Sequence, residues 1–175
     1  METKRLLIRN FCLDDAKSCF RSWGQDRELG KYIVLYPMRT LEQMEALVEG
    51  LSSNKNAWVI TTKENGDTIG YITVDIPYEQ LQIGEIGYVM GEKYQGHGYA
   101  YEAVKCIINE YLIKQNLYMI EAKYNELNRA SAGLLNKLGF HRDGILRDRR
   151  IDLTTGERCN MIVCSLQQSE FVEER

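Results

Sequence analysis

At 175 residues the chain has the length of one compact domain, and 22 Lys plus Arg against 25 Asp plus Glu give a formal charge of −3. That balance disfavours direct nucleic-acid binding, because it offers no basic excess to neutralise phosphates, while a mildly acidic surface suits an amine partner. No apolar run approaches the ~20 residues of a membrane span, and the start has no apolar stretch of signal-peptide length. Five cysteines (Cys12, Cys19, Cys106, Cys159, Cys164) lack metal-site spacing, and Cys159 and Cys164 fall on opposite faces of one strand. Only two histidines, His97 and His141, are present. Reduced thiols, a cytoplasmic location, no membrane and no metal are the expectation.

No repeat or Pro/Gly/Ser linker divides the sequence, so residues 1–175 read as a single domain. In chain order, residues 5–10 alternate as an opening strand, and Asp14-Asp15 signals a short helix carrying Ala16, Phe20 and Trp23. A loop through Gly30, Pro37 and Thr40 follows. Thr40 is placed to cap a second helix with Leu41, Met44, Val48 and Leu51 on one stripe. Residues 57–62 and 68–76 are strands around the turn Asn65-Gly66, and 81–90 is a third strand. Beyond Gly98 the apolar residues Ala100, Ala103, Val104, Ile107, Ile108, Tyr111 and Leu112 share one helical face, with Glu102, Lys105 and Glu110 on the wet side. Residues 117–124 form a strand and 128–138 a helix stopped by Gly139. Residues 147–152 and 159–166 close a hairpin around Thr154-Thr155-Gly156. The order β-α-α-β-β-β-α-β-α-β-β predicts a mixed α/β architecture, antiparallel first and then a strand–helix–strand unit.

The informative point is where the third of these strands enters the amphipathic helix, through Gln95-Gly96-His97-Gly98-Tyr99-Ala100. The first turn of a helix has unpaired N–H groups and the positive end of the dipole, and glycines there let a phosphate approach. A dinucleotide fingerprint fails because Tyr101 stands where its third glycine belongs, and a P-loop fails for want of Gly-Lys-Ser/Thr. From glycine content alone, a phosphate cradle and a plain change of direction are equally good readings.

Gln95-x-x-Gly98-x-Ala100 resembles the Arg/Gln-x-x-Gly-x-Gly/Ala pyrophosphate motif of the GNAT superfamily of N-acetyltransferases, and the element order is that family's. The resemblance implies a GNAT-like fold, with a mostly antiparallel mixed sheet of about seven strands flanked by about four helices. It also implies that the backbone of Gln95, Gly96, His97, Gly98, Tyr99 and Ala100 holds the pyrophosphate of acetyl-CoA, while Val89 and Met90 backbone groups pair with its pantetheine arm. A second stretch, Asn128-x-x-Ser131 through Leu135 and Lys137 to Gly139-Phe140, is similar to the family's other cofactor motif. Locally, Asn128 is a good N-cap for the amide of Ser131. Ser131 and Leu135 depart from the common pattern, in which a small apolar residue and a tyrosine stand, and resemble the ribosomal-protein N-terminal acetyltransferase branch. By that resemblance Asn128 bonds pantetheine and Ser131 sits near the CoA sulfur. Leu135 cannot donate a proton, which sets the common tyrosine mechanism aside.

Acetyl transfer needs a neutral amine and a group to take its proton. Glu85 is the candidate, because it shares a strand face with Ile83, Gly87 and Val89 and resembles the acidic residue of the branch's Glu-Ile-Gly-Tyr strand. An exposed strand carboxylate with no role is the competing reading. His97 in the turn reads as solvated, Tyr88, Tyr94, Tyr99 and Tyr101 as packing residues. Trp23, Tyr36 and Pro37 stand where the family builds its acceptor site. The expected activity is transfer of acetyl to a primary amine, either a protein N-terminus or a small molecule. A non-catalytic acyl-CoA-binding module is the alternative, and a homodimer through exposed strands is left open.

Overall fold

The computed structural model describes residues 1–33, 37–152 and 155–172, so Tyr36 and Thr154 lie outside the described residues. The elements come in the predicted order: β1 (Leu6–Asn10), α1 (Asp15–Cys19), α2 (Leu41–Ser52), β2 (Ala57–Thr62), β3 (Thr68–Asp75), β4 (Ile83–Met90), α3 (Tyr99–Asn109), β5 (Met119–Asn125), α4 (Arg129–Lys137), β6 (His141–Ile151) and β7 (Arg158–Gln167). The strands hydrogen-bond in one sheet of order β1-β2-β3-β4-β5-β7-β6. The pairs β1–β2, β2–β3, β5–β7 and β6–β7 are antiparallel, whereas β4–β5 is parallel because α3 carries the chain back between them. The described residues form two compact units, Met1–Thr73 with Tyr88–Ala103, and Val74–Gly87 with Val104–Arg175.

In the first unit, α2 starts as its sequence dictates. The Gln43 amide donates to the Thr40 hydroxyl at 3.4 Å and the Gln43 side chain accepts from the Thr40 amide at 3.4 Å, closing a capping box, with the Arg39 amide also donating to Gln43 at 2.7 Å. Met44 and Val48 are fully buried. The expected helix through Phe20 and Trp23 is split: α1 ends at Cys19 and a π-helical turn, Phe20–Gly24, follows. Asp14 makes no capping bond, because the useful carboxylate is Asp15, which accepts from the Cys12 amide at 2.9 Å and pairs with Arg9 at 2.6 Å. The π turn seats Trp23, 1% exposed, with its ring centroid 5.4 Å from that of Tyr71, in an apolar cluster with Phe11, Met44, Val59 and Val89.

Gly70 sets how this cluster meets the end of β4. The β2–β3 ladder slips between Ile60 and Thr61, and a Cβ on Gly70 would stand 2.1 Å from the Val89 carbonyl oxygen. Only a residue without a side chain lets these backbones come so close.

In the second unit, β4 pairs with β5 from Ile83–Met119 to Ile86–Ala122, and β5 lies along β7 from Met119–Gln167 to Asn125–Met161. Gly84 has no room for a side chain, since a Cβ there would meet Val74 at 2.9 Å and Leu117 at 3.1 Å. The stop of α4 is as predicted: Gly139, at φ +91°, donates to Asn136 O at 3.1 Å and Phe140 to Leu135 O at 3.0 Å, a Schellman motif. β6 differs from expectation. It begins at His141 rather than at 147, because His141-Arg-Asp-Gly has no apolar alternation and is held as strand only by pairing with β7. Its register slips at Arg142/Gly144 and again at Leu146/Arg150, around Asp148 at φ +53°.

Two glycines give opposite expectations. Gly70→Ala should lower stability by about 1–3 kcal/mol, since the neighbour is backbone and cannot turn aside. Gly50→Ala, on α2 with nothing within 4 Å of its Cβ, should raise stability by up to about 1 kcal/mol. Urea unfolding of both variants checks the pair.

Candidate functional site

The segment from the end of β4 to the start of α3 is tied down on several sides within the first unit. Gly91 N–H donates to Ile69 O at 3.0 Å, and a 3-10 turn, Glu92–Tyr94, follows. Asp26 accepts the Glu92 amide at 2.7 Å, and the Tyr94 hydroxyl reaches Asp67 at 3.4 Å. The side chain of Gln95 turns back and donates to Met90 O at 3.0 Å. Gly96 and Gly98 both have left-handed backbone, at φ +76° and +79°, which other residues adopt only with strain. α3 starts at once with Tyr99. Glycines at a helix start leave its first N–H groups unscreened by side chains, and the helix dipole adds positive potential there. A Cβ on Gly96 would meet nothing within 4 Å, so the turn has open space over it. Such a helix start can accept an anion.

Arg5, just before β1, braces this turn and was not singled out by the sequence. Its Nη1 donates to His97 O at 2.9 Å, its Nε donates to Glu102 Oε2 at 2.7 Å, and its guanidinium lies 4.4 Å from the Tyr99 ring centroid. Glu102 Oε1 also accepts from the Arg5 amide at 2.8 Å and the Thr3 hydroxyl at 2.5 Å. Glu102 therefore corrects the helical-wheel expectation: its side chain is only 18% exposed, turned onto the N-terminal segment rather than into water. Burial opposes its ionisation, but the Thr3 hydroxyl, the Arg5 amide and the Arg5 guanidinium together outweigh that and hold the carboxyl below its ordinary range.

Other predicted residues divide between the units. Val89 and Met90 lie with the turn, both buried, and their backbone groups are partly engaged: the Val89 carbonyl faces Gly70 and the Met90 carbonyl accepts from Gln95. His97 and Gly98 are exposed, Tyr99 and Ala100 half-buried. Glu85, Asn128 and Ser131 belong to the second unit. There Lys123 Nζ sits 2.5 Å from Glu85 Oε2, a partner the sequence did not suggest, and Glu121 faces Glu85 across the parallel pair. Asn128 Oδ1 accepts the Ser131 amide at 3.0 Å, capping α4 as expected, and Ser131 is half-buried. Leu135 is 2% exposed and belongs to the helix's apolar stripe. Trp23, by contrast, is a core residue rather than an exposed acceptor contact, whereas Pro37 is exposed. Tyr88, Tyr94 and Tyr101 are half-buried. Among the described residues, no helix is long and apolar enough to cross a membrane.

This fold is that of an acetyltransferase. Residues 5–141 match the Acetyltransferase (GNAT) domain, and the chain belongs to that family of acetyl-CoA-dependent N-acetyltransferases. It is 31% identical over 174 residues to the uncharacterized N-acetyltransferase p20 of Bacillus licheniformis, covering 97% of this chain and 96% of that one. Over 63 residues it is 36% identical to the [ribosomal protein uS5]-alanine N-acetyltransferase of Escherichia coli, covering 36% of this chain and 32% of that one. The fold is also that of RimL, a ribosomal L7/L12 alpha-N-protein acetyltransferase solved in complex with coenzyme A. That structure superposes with a TM-score of 0.83 at 15% identity, covering 94% of this chain and 95% of that one.

The Glu102 network has a pH signature. Because the folded carboxyl titrates below the ordinary glutamate value, its contribution is complete above that value and is lost as pH falls through the lowered folded one. Melting temperatures of wild type and Glu102→Gln should therefore differ by several degrees near neutrality and converge in acid, below the ordinary glutamate range. A gap that stays constant throughout acid titration would remove the carboxylate as its source.

Proposed function

We propose that this chain, acting as one N-acetyltransferase domain over residues 1–175 in the cytoplasm, acetylates a primary amine by direct attack on acetyl-CoA. The observation that carries the reading is the paired left-handed glycines, Gly96 and Gly98, at the start of α3, with Gln95 locking the turn to Met90. Acetyl-CoA supplies the thioester. Backbone groups from Gln95 to Ala100 would hold its pyrophosphate. β4 runs on to Met90 beyond Ile86, its last residue paired with β5, so the Met90 N–H is the natural partner for pantetheine. With the Val89 carbonyl turned to β3, Met90 is the better of the two predicted backbone partners. On α4, Asn128 caps the helix with Oδ1, so its Nδ2 would be the donor to pantetheine, and the Ser131 hydroxyl in the first turn would serve the CoA sulfur.

The acceptor must arrive neutral, and an α-amino group with pKa near ~8 is about a tenth neutral at pH 7. That favours a protein N-terminus over a lysine-like amine near ~10.4. The likeness to a uS5-alanine N-acetyltransferase points the same way. Glu85 would take the amine proton, directly or through a water, and Lys123 on Oε2 leaves Oε1 for that work. As nitrogen bonds to the acetyl carbon, the carbon–sulfur bond breaks and the sulfur leaves with its electron pair. A thiol pKa near ~8.5 makes this a fair leaving group, so a hydrogen bond from Ser131 can replace the acid that Leu135 cannot be. A backbone N–H at the end of β4 would meet the oxyanion.

Ser131→Ala should lower turnover roughly tenfold with acetyl-CoA affinity nearly unchanged, the loss of one hydrogen bond made in the transition state. Glu85→Gln should abolish the acidic limb of the pH–rate profile; an unaltered limb reassigns the base. Thiol release measured over a panel of N-terminal peptides and small amines tests the activity itself. Binding of acetyl-CoA with no thiol released by any amine would instead support a binding module.

A further inference from the structure

We propose that Arg5 is a positioning residue for the pyrophosphate, acting through the peptide bond between His97 and Gly98; this rests on the acetyl-CoA reading above. Arg5 Nη1 grips the His97 carbonyl at 2.9 Å. In a planar trans peptide the carbonyl of one residue and the N–H of the next point in opposite directions. Holding His97 O on the Arg5 side therefore aims the Gly98 N–H away from Arg5, where an anion could meet it. A cationic donor on the carbonyl also polarises the peptide and strengthens that N–H as a donor.

Three further observations fit orientation rather than direct anion binding. The guanidinium is already paired through Nε with Glu102 at 2.7 Å, so it brings little net charge to an anion. Its plane is fixed from three directions, by His97 O, by Glu102 and by the Tyr99 ring at 4.4 Å. A Cβ on Gly98 would stand 3.4 Å from Arg5 Nη2, so the guanidinium backs directly onto the left-handed residue whose conformation it maintains. Gly98 at φ +79° can swing in either direction more cheaply than any other residue, and a turn with such freedom needs an external hold. Lysine would serve only in part, because one ammonium cannot span a carbonyl and a carboxylate in a fixed plane.

The test compares two ligands, CoA and pantetheine, which lacks the pyrophosphate. Both are titrated into 15N-labelled protein and followed by amide shifts, which read millimolar as well as micromolar binding. Arg5→Ala should weaken CoA about tenfold, abolish the Gly98 shift caused by CoA, and leave pantetheine affinity unchanged. Arg5→Lys, the variant that keeps the charge should Arg5→Ala not fold, should recover only part of the loss. Equal weakening of both ligands, or CoA affinity equal to wild type, overturns the role of Arg5 alone. Failure of wild type to bind CoA overturns the acetyl-CoA reading and this inference with it.

Discussion

A strand has to end and a helix begin within a few residues while the first amides of that helix stay unspent. That constraint organises the first unit. Had a side-chain cap satisfied the start of α3, as Thr40 does for α2 and Asn128 for α4, the helix would be more stable locally and of no use to an anion. Instead the turn is held from behind and from the sides: Gln95 on Met90 O, Asp26 on the Glu92 amide, Arg5 on His97 O. Each bond stiffens the segment without consuming the amides between Gly96 and Ala100. Stability is given up at one helix end and recovered in its surroundings.

The chemistry proposed for this chain rests on the same economy of strong groups. Leu135 is hydrocarbon where related enzymes often carry a tyrosine, and its burial in the stripe of α4 makes it part of the scaffold. Proton transfer then falls to a carboxylate, Glu85, which Lys123 keeps company at 2.5 Å on a strand face that also carries Glu121. A lysine beside the proposed base fixes one oxygen and leaves the other to meet an amine. Ser131 asks little of the leaving sulfur, and little is needed.

What could be read in advance and what could not separate by the range of the interactions. Thr40 with Gln43, Asn128 with Ser131, and Gly139 with Phe140 are contacts between residues a few positions apart, and each took the form its local chemistry implied. The stripe Ala103, Val104, Ile107, Ile108, Tyr111 and Leu112 was legible for the same reason and is fully buried. Long-range partners left no such trace. A helical wheel puts Glu102 in water; Thr3 and Arg5, from the far end of the sequence, pull it in. Nothing local marks Lys123 as the partner of Glu85, or His141 as the start of a strand that only β7 can stabilise.

The sequence by itself determined the element order, the caps, the glycine turn and, through the family whose motif it carries, the acetyl donor. These follow from backbone preferences and hydrogen bonds that operate within one or two turns of chain. The tertiary structure alone decided that Gly70 lets the end of β4 lie against β3, that Trp23 is core, and that Arg5 braces the turn before α3. Those depend on which distant segments are brought together, and a contact across nearly a hundred residues has no periodicity to announce it.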